Sequence, residues 1–261
     1  MQPKCKQHIV KVMTIVVLAL SLSSCVSNKE ILYFQDANQY NQTNVQYQEN
    51  TIQPNDILAV TISAAIPEAA IPYNKNVNAN AVNNSVDILK LHGYLVNPEG
   101  FIALPVLGKI KATQLTNSQL ESQIVAQLEN GGHLINPIVT VRLLNAKVTV
   151  LGEVQRPGTF SFTEQYISVP QALGYAGDLT INGKRNDILL IREVDATRKI
   201  THIDLTTTNW MDNPEYRLKP NDVLVVQPNR AKVKTAGYVG NVTTIVAIAS
   251  VTLSAIILLT R

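Results

Sequence analysis

Few residues in this chain have the chemistry of an active site. Of its four histidines, His8 lies in an N-terminal apolar segment, and His92, His133 and His202 are scattered with no short metal-ligand spacing. The sequence holds no phosphate-binding Walker loop, no G-x-S-x-G elbow and no dinucleotide fingerprint. Two carboxylates offer the most on paper, because a pair of acids brought together from distant positions can cleave a glycosidic bond. They are Asp56 and Asp222, and each ends the same tripeptide, Pro54-Asn55-Asp56 and Pro220-Asn221-Asp222. Proline presets φ there, and the Asn and Asp side chains bond to their own backbone, so both tripeptides read as structural turns. The sequence therefore predicts no catalytic residue, no metal, no cofactor and no enzymatic activity.

Covalent chemistry is expected at one place, the thiol of Cys25. Lys4, Lys6 and Lys11 precede an apolar run, Val12 to Leu22, which is too short to cross a bilayer comfortably and suits a secretory signal. Leu22-Ser23-Ser24-Cys25 directly behind it resembles the bacterial lipoprotein cleavage box, whose cysteine receives a diacylglyceryl group. That resemblance implies a signal peptide over 1–24 and a lipid on Cys25. Cys5 would leave with the signal, so the mature chain would hold no free thiol and no internal disulfide. Several acyl chains, at about 0.8 kcal/mol per buried methylene, hold a membrane almost permanently.

The other chemically suggestive pattern is at the far end. Val242 to Leu259 contains no charged residue, and 18 helical residues at 1.5 Å each span about 27 Å, close to a hydrocarbon core of about 30 Å. Thr243, Ala247, Ser250 and Ser254 fall at i, i+4, i+7 and i+11, a stripe of small and mildly polar groups. Close helix packing accounts for such a stripe, and so does a wall facing water. The second reading needs several copies in a ring, because one helix encloses nothing.

The elements between these ends are short and mixed. Ile52 to Val60 and Leu218 to Val226 repeat one pattern, a Pro-Asn-Asp turn feeding an alternating aliphatic strand. Phe101 to Gly108 follows the turn Asn97-Pro98-Glu99-Gly100, and Pro105 marks an edge or bulge. A helix is predicted from a Thr116 or Asn117 cap through Leu120, Ile124 and Leu128 to a stop at Asn130-Gly131-Gly132. Strands follow at Ile138 to Leu143 and Lys147 to Val154, then a short helix begins at Ser168-Val169-Pro170. Further strands are predicted at Ile188 to Ile191, Ile200 to Leu205 and Val223 to Val226, which makes the class α+β. Residues 27–50 read as an extended polar tether whose spaced Tyr33, Phe34, Tyr40 and Tyr47 offer one aromatic pair for docking, and 64–92, with six Asn between Asn74 and Asn84, as a long polar loop. The 22 basic and 19 acidic residues are not clustered, and three of the basic ones lie in the signal. Nothing in that balance, or in 5% aromatic content, suits a nucleic-acid partner.

The order of "IQPNDILAV", "VNPEGFIALPVLGKI", "SQLESQIVAQL", "NPIVTVRL", "VTVLGEVQRPGTF", "VPQALGYAGDLT", "ILLIRE" and "LKPNDVLVV" resembles the polysaccharide export outer-membrane lipoproteins. The resemblance implies a polysaccharide-export domain at 48–144 with the Asn-rich insertion 64–92, and a β-grasp soluble-ligand-binding (SLBB) domain at 145–230. A tether at 25–47 and a linker with a transmembrane helix at 231–261 complete the division. It further implies a homo-oligomer of about eight chains, whose terminal helices form an α-barrel lined by Thr243, Ala247, Ser250 and Ser254. The partners it implies are the outer membrane of a Gram-negative cell, a capsular polysaccharide or exopolysaccharide and an inner-membrane co-polymerase. The alternative is a periplasmic glycan-binding or adaptor lipoprotein without a pore, whose last helix is a second anchor.

Overall fold

The computed structural model describes residues 31–41, 49–75, 86–194 and 197–235, together with 246–248, 250, 251 and 254. The described chain folds around two hydrophobic cores that share only Leu143 at their margins.

The first core is built on strand β1 (Ile57–Ser63), in which Leu58, Val60 and Ile62 point inward while the residues between them face out. Two helices lie beyond it, α1 (Pro67–Ala70) and α2 (Val86–His92), ahead of β2 (Tyr94–Leu95). A hairpin of β3 (Phe101–Leu104) and β4 (Gly108–Lys111) precedes helix α3 (Asn117–Asn130), and β5 (Ile138–Leu143) closes the unit. β1 lies between β2 and β5, antiparallel to both. The α3 N-terminus carries a full capping box, in which Thr116 Oγ1 accepts from Gln119 N and Gln119 Oε1 accepts from Thr116 N. Leu120, Ile124 and Leu128 on its inner face are completely buried, contributing about 1.5–3 kcal/mol each.

The second core holds β6 (Lys147–Gly152), β7 (Gly158–Ser161), β8 (Ile167–Ser168), helix α4 (Val169–Tyr175), β9 (Gly183–Val194), β10 (Thr197–Ile203), β11 (Arg217–Leu218) and β12 (Val223–Pro228). A short helix, α5 (Arg230–Thr235), follows. The sheet order is β10-β9-β12-β6-β7, with β12 parallel to β6 and every other pair antiparallel. Helix α4 is capped by Ser168, with Gln171 completing the box and Pro170 in the first turn, where its missing N–H costs nothing. The α+β class is therefore correct.

Three segments differ from their sequence reading. Phe101 to Gly108 is a hairpin rather than a continuous strand: Val106 takes φ 65° and Leu107 N donates to Pro105 O, so the chain reverses where Pro105 removes a ladder donor. The insertion 64–92 contains helix at Pro67–Ala70, Ile71–Tyr73 and Val86–His92, and Asn74 ties it down by accepting from Ile62 N and donating to Ile62 O and Ala70 O. The described part of the tether, 31–41, docks Tyr33 and Phe34 on the second domain and binds it through its backbone as well, rather than remaining extended and loose.

Candidate functional site

The two Pro-Asn-Asp turns adopt one geometry. Asn55 and Asn221 sit in the left-handed region at φ 70° and 69°, which Asn tolerates better than other side chains. Asp56 Oδ2 accepts from Gln53 N at 2.9 Å, and Asp222 Oδ2 accepts from Lys219 N at 2.7 Å. Each Asp N–H returns to the carbonyl three residues back, at 3.2 Å in both turns. The repeated tripeptide is thus a repeated turn, and both carboxylates are buried, at 5% and 1% exposure.

Their electrostatic settings differ. Asp222 receives Arg192 as a fork, with Nε 2.9 Å from Oδ1 and Nη2 2.6 Å from Oδ2, while Nη2 also donates to Arg217 O at 2.9 Å. Burial still pushes the Asp222 carboxyl above its usual range, because desolvation outweighs the arginine's support. Among the described residues no such cation pairs with Asp56. Burial raises it to about 6, opposed only by the Gln53 N–H.

Asp56 faces a cavity of about 340 Å³ at the seam between the two domains. Glu49, Glu121 and Arg142 line it from the first domain, and Glu164, Gln165 and Pro220 line it from the second. Pro220 belongs to the second turn, so the two turns meet at one seam. Asn145 stitches the seam, since its Oδ1 accepts from Ile57 N and its Nδ2 donates to Asn55 O, both at 2.9 Å. Glu121 reaches from α3 to accept from Val141 N at 2.7 Å.

A second docking surface holds the tether. Phe34 N donates to Leu205 O at 3.1 Å and Gln35 N to Thr206 O at 2.7 Å, a short backbone zipper against the second domain. The Phe34 ring stacks on Trp210, with centroids 6.0 Å apart and planes 20° apart. Tyr33 donates to Asp178 Oδ1 at 2.6 Å, with the Arg185 guanidinium 5.2 Å above its ring. Burial and the Asp178 carboxylate both hold that phenol well above the ordinary tyrosine range.

The other expected site residues divide into described and undescribed. Cys25 and Thr243 lie outside the described residues. Ala247, Ser250 and Ser254 are helical and exposed. Ser250 Oγ donates to Ala247 O and Ser254 Oγ to Ser250 O, both at 2.8 Å. Their hydroxyl protons are spent on the helix backbone, which leaves oxygen lone pairs facing outward. Among the described residues no helix is long and apolar enough to cross a membrane, and the span expected at 242–259 falls largely outside them. His92, His133 and His202 do not converge. His133 meets Tyr73 edge-on at 5.7 Å and His202 pairs with Asp187 at 2.6 Å. Among the described residues no cluster of three or more His, Cys, Asp or Glu is placed to hold a metal ion.

Sequence reasoning missed Arg192, Asn145 and the place, beside Trp210, where the tether's aromatic residues dock. An arginine directly after the aliphatic run Ile188 to Ile191 was a visible signal for the first, since a charge in an aliphatic strand needs a buried partner.

Comparison with known proteins fits this two-domain arrangement. Residues 44–144 match the family described as polysaccharide biosynthesis/export protein, and residues 146–226 match the SLBB domain. The chain is 24% identical over 190 residues to the EPS I polysaccharide export outer membrane protein EpsA of Ralstonia solanacearum. That alignment covers 70% of this chain and 49% of the relative, so the chain spans about half the length of the relative it matches.

Proposed function

Since a chain that joins a polysaccharide biosynthesis/export domain to an SLBB domain belongs to the polysaccharide export family, we propose that this protein is a subunit of an outer-membrane conduit for capsular polysaccharide or exopolysaccharide. The conduit is a ring of about eight copies, anchored by a lipid on Cys25. The terminal helices over about 242–259 line its exit, with Thr243, Ala247, Ser250 and Ser254 toward the lumen. An inner-membrane co-polymerase meets the periplasmic rim and, with synthesis itself, supplies the driving force.

The observation that carries this reading is the order of parts: an export domain, an SLBB domain, then a charge-free run of membrane-spanning length. The chemistry required is modest. A hydrated glycan slides only if each contact is weak enough to release, so the wall needs polar atoms without strong charge. Hydroxyls whose protons are already bonded to their own helix, as at Ser250 and Ser254, offer one face of weak acceptors. No bond in the polymer is made or broken, and the protein needs no cofactor.

The test is the native mass of the lipidated protein in mild detergent, compared with a chain ending at Gly240. A closed assembly of about eight copies that is lost on truncation is the expected result. A monomer in both cases removes the physical basis for a lumen and leaves the adaptor lipoprotein.

A further inference from the structure

The chain carries its own comparison for the carboxylate at the seam. Two copies of one turn bury one carboxylate each, and in the second copy Arg192 neutralises it with two nitrogens. In the first copy the carboxylate accepts one backbone N–H on Oδ2, and among the described residues no ion pair holds it. A buried charge without a partner is costly, and the usual solutions are a counter-ion or a proton. Asp56 instead lines a cavity of about 340 Å³, near the lower limit of the roughly 300–1,000 Å³ common for small-molecule sites.

The wall specifies the occupant. Four carboxylates, Glu49, Asp56, Glu121 and Glu164, face one guanidinium, Arg142, so the cavity is electronegative. Arg142 is exposed and makes no bond to Asp56. A single metal ion is a poor fit, since the acids are not grouped as ligands. The remaining polar lining is amide and hydroxyl, supplied by Asn50, Asn117, Gln165 and three threonines, chemistry that pairs with hydroxyl groups. Glu121 and Glu164 each spend one carboxylate oxygen on a backbone N–H, of Val141 and Thr163, which leaves acceptor capacity on each for an O–H donor.

We propose that the seam cavity binds an amino sugar, its ammonium seated on the Asp56 carboxylate as the Arg192 guanidinium is seated on Asp222, and its hydroxyls donating to the surrounding glutamates. The choice of a sugar rests on the export reading above; the requirement for a cation rests on the twin turns alone. Both domains contribute to the site, so a ligand there ties Asp56 of the export domain to Glu164 and Gln165 of the SLBB domain.

The experiment is saturation-transfer NMR on the full lipidated chain in detergent, with D-glucosamine and D-glucose as probes at neutral pH. Glucosamine is expected to bind and glucose to bind at least about tenfold more weakly, the value of one charge-assisted hydrogen bond. Asp56→Asn, which keeps an oxygen for the Gln53 N–H, should weaken glucosamine by about tenfold or more and leave glucose unchanged. Glu164→Gln, remote from the turn, should give a smaller loss. A chitosan oligosaccharide that binds more tightly than the monosaccharide identifies the ligand as a unit of a polymer, and preference for the monosaccharide identifies a free sugar. No glucosamine binding, equal binding of glucose, or an unaffected Asp56→Asn variant overturns the proposal. A negative titration on an intact ring discards this site and leaves the conduit standing, whereas binding by a monomer does the reverse.

Discussion

Replacing Asp56 by Asn should stabilise the ligand-free protein at alkaline pH, the opposite of what replacing a buried hydrogen-bonded side chain usually does. The folded environment raises this carboxyl from 3.8 to about 6, because burial penalises its charge and only the Gln53 N–H offsets it. A folded value above the unfolded one means the group's contribution is fully present below about 3.8 and is lost as pH rises through about 6. A difference of about two units at about 1.4 kcal/mol each amounts to roughly 3 kcal/mol forgone above pH 7. Asn carries no charge to desolvate and still presents an oxygen to Gln53 N, so it recovers most of that amount. Scanning calorimetry should show the Asp56→Asn export-domain transition about 10–20 °C above wild type at pH 8, with the gap nearly closed at pH 4. The matched control is Asp222→Asn in the twin turn. It strands the Arg192 guanidinium, whose side chain is only 11% exposed, and should cost about 3–5 kcal/mol. An Asp56→Asn variant that melts below wild type at pH 8, or an Asp222→Asn variant that melts with wild type, would refute the claim that a cation is present at one turn and missing at the other.

Two further substitutions test how the domains and the tether are held. Gly152 has φ 90°, and a Cβ there would stand 2.0 Å from Val226 O in the parallel β6–β12 pairing, so Gly152→Ala should cost more than about 2 kcal/mol in urea denaturation of the second domain. A loss below about 0.5 kcal/mol would mean the strands separate without penalty. Phe34→Ala removes the ring stacked on Trp210, the sole tryptophan, and aromatic pairs contribute about 0.5–1.5 kcal/mol beyond the area they bury. Tryptophan emission should shift to the red as the indole, 9% exposed in the native chain, meets water. Unchanged emission would show that the tether does not cover it.

What could be read from the sequence was whatever local chemistry determines. Thr116 with Gln119 and Ser168 with Gln171 are self-contained capping boxes, so both helix starts were legible. The Pro-Asn-Asp turns were legible for the same reason, since each Asp bonds within its own turn. Long-range pairings were not. Phe34 finds Leu205 and Trp210 some 170 residues away, and although the spaced aromatics of the tether mark it as able to dock, nothing local says where. Arg192 lies 30 residues from Asp222, in a strand whose aliphatic neighbours dominate its pattern. The difference between the twin turns is entirely of this kind: identical tripeptides, one beside an arginine from β9 and one beside a cavity.

The docked tether bears on how such a subunit would stand at a membrane. Cys25 precedes Tyr33 by eight residues, which extended cover at most roughly 26–29 Å. A lipid on Cys25 would therefore hold the second domain, where Tyr33 meets Asp178 and Phe34 meets Trp210, within that distance of the bilayer. The charge-free run at the other end also leaves from the second domain, after β12 and α5. On the conduit reading, both membrane attachments then act on the SLBB domain, and the export domain takes the far pole, facing the periplasm. A seam ligand would sit where those two poles join, clamping Asp56 on one to Glu164 on the other. Occupancy would then stiffen the axis along which the polymer travels, through contacts that neither domain makes alone.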